Sequence, residues 1–534
     1  MSVLSAVEVV TPINPATEEA LAPYPVATRQ QVLEATAAAR RVQGQWSSAS
    51  LAKRARILSD VADKLLEEAD SFAHCITTEM GKPFREALEA DLFSAISTTR
   101  YMAAIGPRVL RDKPYHSLKS LLLGRLHAEH RVPHGVVGII SPWNYPLGTP
   151  ASGISMALMA GNAVILKPSE ITPGTAELLV RLYQSVLSQH GFPKAIVQVL
   201  HGDGRVGAAL CEAPEVDYLL FTGSSATGQR VQQAMQARGK SVNLELGGSD
   251  PMILLESCPD WDAALSTAVW ARFTNAGQTC AAIKRLLVPE SRYEEVLKVL
   301  EEKISGLRVG DPMNPENHMG PLASELQLQR LMSQVSDAVN SGARIISGGY
   351  RLNRPGFFYA PTVLADVPAD ASVLGEEVFG PALIVIAYKT IKQAVEIANA
   401  LPYGLTASVF GSEKEAGIIA RQLEAGTVAI NDVAVTNYAQ PVIPWNGHKA
   451  SGPGIRHGKA GLLEMTRLRV MTENLSFKLP GLRKAPWLFC QKASEDDNSL
   501  SWALLKAFTT ESLREKLSLS LLRALLQRSL KKKI

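Results

Sequence analysis

Nine segments between Gly135 and Gly248 alternate between two kinds of periodicity, and this alternation restricts the 534-residue chain more than any other feature. "GVVGIIS", "AVILKPS", "AIVQVLHG", "VDYLLFTGS" and "SVNLELGG" are short β-rich runs, whereas "ASGISMALMAG", "TAELLVRLYQSVLSQ", "RVGAALCEA" and "GQRVQQAMQA" read as helices. Such an alternation predicts an α/β fold, a parallel sheet wrapped by helices. A second alternation, from "PMILLE" at Pro251 to "GTVAIND" around Asn431, predicts a second α/β domain. Ahead of both, Thr28 to about Leu110 carries apolar residues at spacings of three and four, an opening helical layer. "LKSLLLGRLHAEHRV" then predicts two strands around Gly124, a hairpin arm of the kind that mediates subunit contact.

At 57.6 kDa the chain exceeds a single ordinary core. Hydrophobic residues make up 46%, charged residues 20%, and the net charge is only +4, which favours a folded protein handling small molecules over a nucleic-acid binder. Cys75, Cys211, Cys258, Cys280 and Cys490 are odd in number and form no CxxC pair, so neither a disulfide framework nor a metal cage is expected. A reducing compartment follows. The N-terminal stretch has no basic region leading into an apolar one, and no run of eighteen apolar residues occurs; a cytoplasmic protein is expected.

Beyond about Leu479 the character changes. Residues 499–534 hold eight Lys or Arg against two Glu, with Leu513, Leu517, Leu521 and Leu525 at a spacing of four, a basic amphipathic helix. Its two readings are a helix lying on the anionic inner membrane face, with Lys531 to Lys533 at the lipid headgroups, and an arm packed on its own or a neighbouring subunit.

Parallel α/β sheets commonly bind nucleotides at strand C-terminal ends, which directs attention to the glycine-rich turns. "GDGRVG", Gly202 to Gly207, matches GxGxxG, but such a turn is more often only a tight connection. "FTGSSATG" places Gly223 and Ser224 where a strand ends and a helix opens, so the first amides of that helix face an anion. Ser also caps helices for purely structural reasons, and on local chemistry the two readings stand level. "FTNAGQTC" sets Cys280 after a polar turn near the start of the second alternation, close to the junction of the two domains.

"SPWNYP" (Ser141 to Pro146), "LKPSE" (Leu166 to Glu170), "FTGS", "LELGG" (Leu244 to Gly248), "GQTC" and "EEVFGP" (Glu376 to Pro381) occur in that order, and together they resemble the aldehyde dehydrogenase superfamily. The resemblance runs from "INPAT" at Ile13 to about Arg469 and takes in "APTVL", "YGLTASVF" and "GTVAIND". It implies a Rossmann-like cofactor domain (1–113 and 134–246), a catalytic α/β domain (247–436) and a β-hairpin oligomerisation arm (114–133 and 437–479). The basic extension (480–534) lies beyond it, and a homodimer or homotetramer is implied.

The implied activity is oxidation of an aldehyde to the acid with NAD or NADP. A thiolate adding to an aldehyde makes a thiohemiacetal whose C–H can leave as hydride to a nicotinamide. By resemblance Cys280 is that nucleophile, Asn144 and the Cys280 backbone N–H are the oxyanion donors, and Glu245 is the base that activates water against the thioester. Lys167 and Glu170 resemble the pair that binds the adenosine ribose, Gly223 and Ser224 meet the pyrophosphate, Glu377 and Phe379 approach the nicotinamide ribose and ring, and Trp143 lines the same cleft. A carboxylate at Glu170 hydrogen-bonds ribose hydroxyls and repels a 2′-phosphate, so NAD is preferred over NADP. "GDGRVG" is then a border of the adenine end.

Three positions depart from the family pattern: Ser249 stands where Lys is frequent, "PWNG" (Pro444 to Gly447) replaces a PFGG type, and Ile455 stands where Arg is common. They bear on the substrate wall and subunit contacts. Two further classes stay open: a CoA-acylating relative, which does not need the base at Glu245, and a non-catalytic binding protein on the same fold, which would lose Cys280, Asn144 or Glu245.

Overall fold

A computed structural model describes residues 8–115, 125–438 and 440–474. The basic tail at 499–534, Cys490 and the first strand expected for the hairpin lie outside the described residues. Among the described residues two compact units emerge: one of residues 8–111 with the described part of 131–467, the other of 112–115 and 125–130 with 468–474.

The first unit opens with the expected helices, Arg29–Ser47, Leu51–Glu67, Ala69–Met80 and Phe93–Leu110. Thr28 starts the first through a reciprocal box: its hydroxyl accepts the Gln31 N–H and its own N–H donates to Gln31 Oε1. Between Phe84 and Leu110 the helix is not uniform, because Ala87–Leu92 is wound as a π-helix. That single wide turn carries the buried Asp91.

The first alternation forms a five-stranded parallel sheet. In space its strands run Val197–Val199, Ala163–Lys167, Val136–Ile140, Tyr218–Thr222, Ser241–Glu245, so the chain order is third, second, first, fourth, fifth. This is the Rossmann order, and its reversal lies between Val136–Ile140 and Tyr218–Thr222. Trp46, Phe72, Ile139 and Leu220 bury one face, while Val32, Ile165, Leu219 and Met235 bury the other. With both faces covered the central strands need no alternation, which is why "AVILK" is buried at every position. Trp46 is fully enclosed and its indole N–H donates to Leu158 O at 3.0 Å, so its one polar atom is satisfied.

The second alternation forms a seven-stranded sheet in the order Arg344–Ser347, Thr362–Ala365, Ala382–Tyr388, Ile283–Pro289, Asp250–Leu254, Thr406–Phe410, Thr427–Ile430. Only the pairing of its first two strands is antiparallel. Each face again has its own apolar cluster. No helix among the described residues is long and apolar enough to cross a membrane.

In the second unit Arg125–Pro133 is the middle of a three-stranded sheet. It pairs antiparallel with Lys113–Tyr115, and Thr466–Asn474 bonds along its other edge. Arg125–Pro133 matches the second strand expected from the sequence, the first expected strand and the Gly124 turn lying outside the described residues, while Lys113–Tyr115 and a strand from far along the chain, neither shown by local pattern, pair with it.

Candidate active site

The motifs singled out in the sequence fall at the C-terminal ends of the five-stranded sheet. Ser141 to Tyr145 follow the first strand, Pro168 to Glu170 the second, Gly223 and Ser224 the fourth, and Leu246 to Gly248 the fifth. Ends of neighbouring strands on either side of a topological reversal leave a crevice between them. Here it opens into a cavity of about 940 Å³, and all ten site residues expected from the sequence line it: Cys280, Glu245, Asn144, Trp143, Lys167, Glu170, Gly223, Ser224, Glu377 and Phe379.

Cys280 reaches the cavity on a loop with an unusual backbone. Helix Trp261–Phe273 ends, and Asn275, Ala276 and Gly277 then take φ of 53°, 51° and 73°, three left-handed residues in a row. A Cβ at position 277 would lie 2.4 Å from Gly380 O, so glycine is required there. The two non-glycine residues are held by specific bonds. The Glu86 carboxylate accepts the Asn275 N–H at 2.6 Å, and Asn275 Nδ2 donates to Asn144 O at 3.0 Å and Gln278 O at 3.1 Å. Lys284, fully buried, donates to the carbonyls of Thr279 and Cys280 from behind. Among the described residues the Cys280 N–H has no protein acceptor. Burial pushes the Cys280 thiol well above its usual range, the Glu245 carboxylate adds to the rise, and the Lys284 ammonium opposes it. The resting thiol is therefore protonated and needs a base to become a nucleophile.

Asn144 is held at both its carbonyl and its side chain. Its Nδ2 donates to Gln278 O at 3.0 Å, which leaves the second amide hydrogen for another acceptor. Its carbonyl accepts from Asn275 and also from Lys82 Nζ at 2.8 Å. Lys82 is ion-paired with Asp91, both side chains are wholly enclosed, and the ammonium lies 3.9 Å from the centre of the Tyr145 ring. Asp91 Oδ1 in turn accepts the N–H groups of Leu147 at 3.2 Å and Gly148 at 3.0 Å. The π-turn thus delivers one carboxylate that fixes both sides of the Trp143 to Tyr145 bend.

Glu245 ends the fifth strand and is 3% exposed. Its Oε2 accepts from the Thr222 hydroxyl at 3.4 Å and lies 4.0 Å from Arg456 Nε. Burial raises its pKa and Arg456 works against that rise. A carboxylate kept dry with one cation near it is poised to take a proton.

On the far side of the cavity Lys167 Nζ lies 3.6 Å from Glu170 Oε2; burial lowers the lysine pKa and the glutamate counteracts it. Ser224 caps helix Ser225–Gln236, its Oγ accepting the Thr227 N–H at 3.4 Å, so the structural role open in the sequence is present. Capping does not use up the other first-turn amides. Glu377 accepts the Gly248 N–H at 3.1 Å, and Phe379 meets Trp143 edge-on at 5.6 Å between ring centres. "GDGRVG" contributes Gly204 and Gly207 to the same wall, but its helix follows the sheet's edge strand, away from the reversal. Burial raises the other described cysteines as well, Cys75 to about 12 and Cys211 to about 11, so elevation does not single out Cys280; position does, since Cys75 and Cys258 lie off the cavity and Cys211 sits on the helix that follows the sheet's edge strand.

The family model described as the aldehyde dehydrogenase family matches residues 4–471. The chain belongs to that family. Succinate-semialdehyde dehydrogenase [NADP(+)] 1 of Mycobacterium tuberculosis is 37% identical over 86% of this chain and 98% of its own. Aminoaldehyde dehydrogenase 2, peroxisomal, of Pisum sativum is 35% identical over 87% and 92%. Among solved structures, the NAD+ complex of an aldehyde dehydrogenase from Bacillus cereus superposes with a TM-score of 0.83 at 32% identity, covering 88% of this chain and 93% of that one. This aldehyde dehydrogenase oxidises aldehydes to carboxylic acids with NAD or NADP as hydride acceptor.

Several residues that shape the site of this aldehyde dehydrogenase carried no sequence signal. Lys82, Asp91 and Glu86 sit among many charged helix residues, and nothing in their spacing marks them. Tyr145, Tyr438 and Trp445 line the cavity yet read locally as ordinary core aromatics. A signal did exist for the C-terminal hairpin, because two of the three family departures meet there: Trp445–Asn446 pairs antiparallel with Ile455–Arg456.

Proposed function

We propose that Cys280, Asn144 and Glu245 perform the oxidation by covalent catalysis. The reading rests on one observation above the others: the thiol, an amide with a spare hydrogen, a backbone N–H without a protein acceptor and a dry carboxylate share one cavity. Cys280, losing its proton to Glu245 or water, attacks the aldehyde carbon; a C–S bond forms and the carbonyl oxygen becomes an alkoxide. The second Asn144 amide hydrogen and the Cys280 N–H donate to that oxygen. When bound, NAD or NADP supplies a nicotinamide that accepts the hydride, leaving a thioester on Cys280. Glu245 then takes a proton from water, the hydroxide adds to the thioester, and the thiolate leaves as the acid is released.

The lining suits a dinucleotide. Lys167 and Glu170 would hold the adenosine ribose, Gly223 and Ser224 the pyrophosphate at the opening of helix Ser225–Gln236, and Glu377 with Phe379 the nicotinamide ribose and ring, with Trp143 alongside. This assigns cofactor binding to 1–113 with 134–246, and the nucleophile to 247–436. Glu170 favours NAD; equal turnover with NADP at equal low concentrations overturns that preference. Subunit pairing through the arm is supported by Leu468, Val470 and Met471, each more than half exposed on an edge strand.

We assign Glu86, Glu89, Tyr145, Trp270, Tyr438 and Trp445 of the cavity wall to the aldehyde, and the wall cations Lys167 and Arg230, which stand by the C-terminal ends of the five-stranded sheet, to the cofactor; Arg330, on helix Glu325–Asn340, is the third cation of the wall. The substrate is accordingly an aldehyde whose far end is uncharged or cationic. Following NADH absorbance with aliphatic, aromatic, amino- and carboxylate-bearing aldehydes tests both parts. Cys280→Ala must abolish the signal, and a carboxylate-bearing aldehyde as best substrate refutes the charge argument. NADH formation only when CoA is added moves the enzyme to the acylating class, against which the position of Glu245 argues.

A further inference from the structure

The family departure at Ile455 is followed at once by an arginine, so this chain carries the guanidinium one residue later than the common pattern. In an extended strand neighbouring side chains point to opposite faces, and a one-residue displacement moves the group from one face to the other. Ile455–Arg456 is such a strand, paired with Trp445–Asn446, and Arg456 is 3% exposed. Its Nε donates to Asn243 Oδ1 at 2.8 Å, and its Nη2 donates to Phe221 O and to the Thr222 hydroxyl, each at 3.2 Å. Asn243 is anchored in turn by donating to Ile455 O at 3.0 Å. The Thr222 hydroxyl passes its own hydrogen to Glu245 Oε2 at 3.4 Å, and Arg456 Nε stands 4.0 Å from the same oxygen.

A buried guanidinium with this many fixed bonds is not there for solubility. It is near enough to Glu245 to favour the charged carboxylate, yet its hydrogens are directed to Asn243, Phe221 and Thr222, so the carboxylate is not sequestered in a bidentate pair. Arg456 does not line the cavity and touches no reacting atom.

We propose that Arg456 is a positioning residue for thioester hydrolysis, acting directly by charge and through Thr222 to hold the Glu245 carboxylate ionised and correctly oriented towards the cavity. The inference rests on the roles proposed above for Cys280 and Glu245. The other groups that titrate near Glu245 are Cys280 and Tyr438, both pushed upward, so they are neutral at working pH. His457, beside Arg456, is depressed to about 3 by burial and is neutral too, and the Glu464 carboxylate accepts the Tyr218 hydroxyl at 3.1 Å. Arg456 is thus the cation that sets the charge of Glu245.

The test separates the two chemical steps with Arg456→Met, Arg456→Lys and Thr222→Val. Rapid mixing with aldehyde and NAD reads the first turnover as a burst of NADH and hydrolysis as the steady rate. A second readout needs no cofactor: Cys280 attacks p-nitrophenyl acetate, p-nitrophenolate leaves, and the resulting acetyl thioester is hydrolysed by the same base. Arg456→Met is expected to keep the burst of either product within about twofold while the steady rate falls about tenfold or more, general-base catalysis being worth roughly 100-fold upward. The pH midpoint of the steady rate moves up, because loss of a cation disfavours the carboxylate; Arg456→Lys restores part of both, and Thr222→Val gives a smaller fall of the same kind. Burst and steady rate falling together with an unmoved pH midpoint would overturn the proposal in favour of a purely structural arginine, as would an unchanged steady rate. Should Arg456→Met not fold, the lysine and valine variants decide by the same criteria. A wild-type enzyme that shows no burst but stays active as Cys280→Ala would sink the underlying mechanism instead.

Discussion

Replacing Lys82 by Met removes a charge that nothing else in its surroundings can supply. The ammonium and Asp91 are both fully enclosed, and taking one member from such a pair costs about 3–5 kcal/mol because the other is left buried and unbalanced. Asp91 retains the N–H groups of Leu147 and Gly148, so the cost falls at the lower end, about 3 kcal/mol. The catalytic effect is separate. Asn144 O loses the donor at 2.8 Å and keeps Asn275 at 3.0 Å, so the bend sags without collapsing. Deleting an oxyanion donor outright costs about 100- to 1,000-fold in kcat, and a displaced one should cost about tenfold. Urea midpoints and kcat are measured for Lys82→Met, Asp91→Asn and the double variant. The double variant, with no charge to bury and an Asn side chain that still accepts both N–H groups, should be more stable than Lys82→Met. A double variant less stable than either single one, or Lys82→Met losing under about 1 kcal/mol, refutes the buried-pair reasoning.

Glu86 is raised from 4.5 to about 7 by burial, against the Asn275 N–H and Lys82, so the folded state holds its proton longer than the unfolded chain. The stability this gives is complete below the unfolded value and is lost as pH rises through about 7; Glu86→Gln should flatten the fall in urea midpoint between about pH 5 and about pH 8. Gly454→Ala would put a Cβ 2.5 Å from both Asn243 Oδ1 and Leu244 O, and since a strand carbonyl cannot yield, the hairpin must shift. A loss of about 1–3 kcal/mol and a slowed steady rate with an intact burst are expected, and a variant indistinguishable from wild type in both contradicts this. Glu170→Gln removes the charge that repels a 2′-phosphate while Lys167 stays; kcat/KM with NADP should rise about tenfold relative to NAD, and an unchanged ratio counts against Glu170 as the discriminator.

What the sequence revealed and what it hid follow one physical division. Local periodicity sets strands and helices, so the five strands from Val136 to Glu245 and the helices between them were legible, and with them the turns at those strands' C-terminal ends that border the cavity. Ser224 was legible as a cap, and the anion role proposed for it draws on the same few atoms of one turn. Cys280 was legible through its motif, but the left-handed Asn275 and Ala276 before it were not: they are imposed by Glu86 and Asn144, 189 and 131 residues away in the chain. The Lys82–Asp91 pair depends on a π-turn that no apolar spacing announces. Thr466–Asn474 joins the arm by a pairing across more than 300 residues, as the His127 to Thr472 bond shows. Arg456 was visible only as the neighbour of a departure, and its meaning needed the strand pairing that turns it towards Glu245.

The left-handed run before Cys280 also tells a protein engineer where to look. Asn275, Ala276 and Gly277 tolerate few side chains at their backbone angles, and Gln278 is tied to Ala323 N at 2.9 Å, so a library randomised across this loop would consist mostly of chains that misfold before meeting any aldehyde. Val435, Thr436 and Tyr438, on a helix of four residues across the same cavity, have ordinary backbone angles and few bonds to break. New aldehyde preferences should therefore be selected from that wall, with the cysteine loop left unaltered.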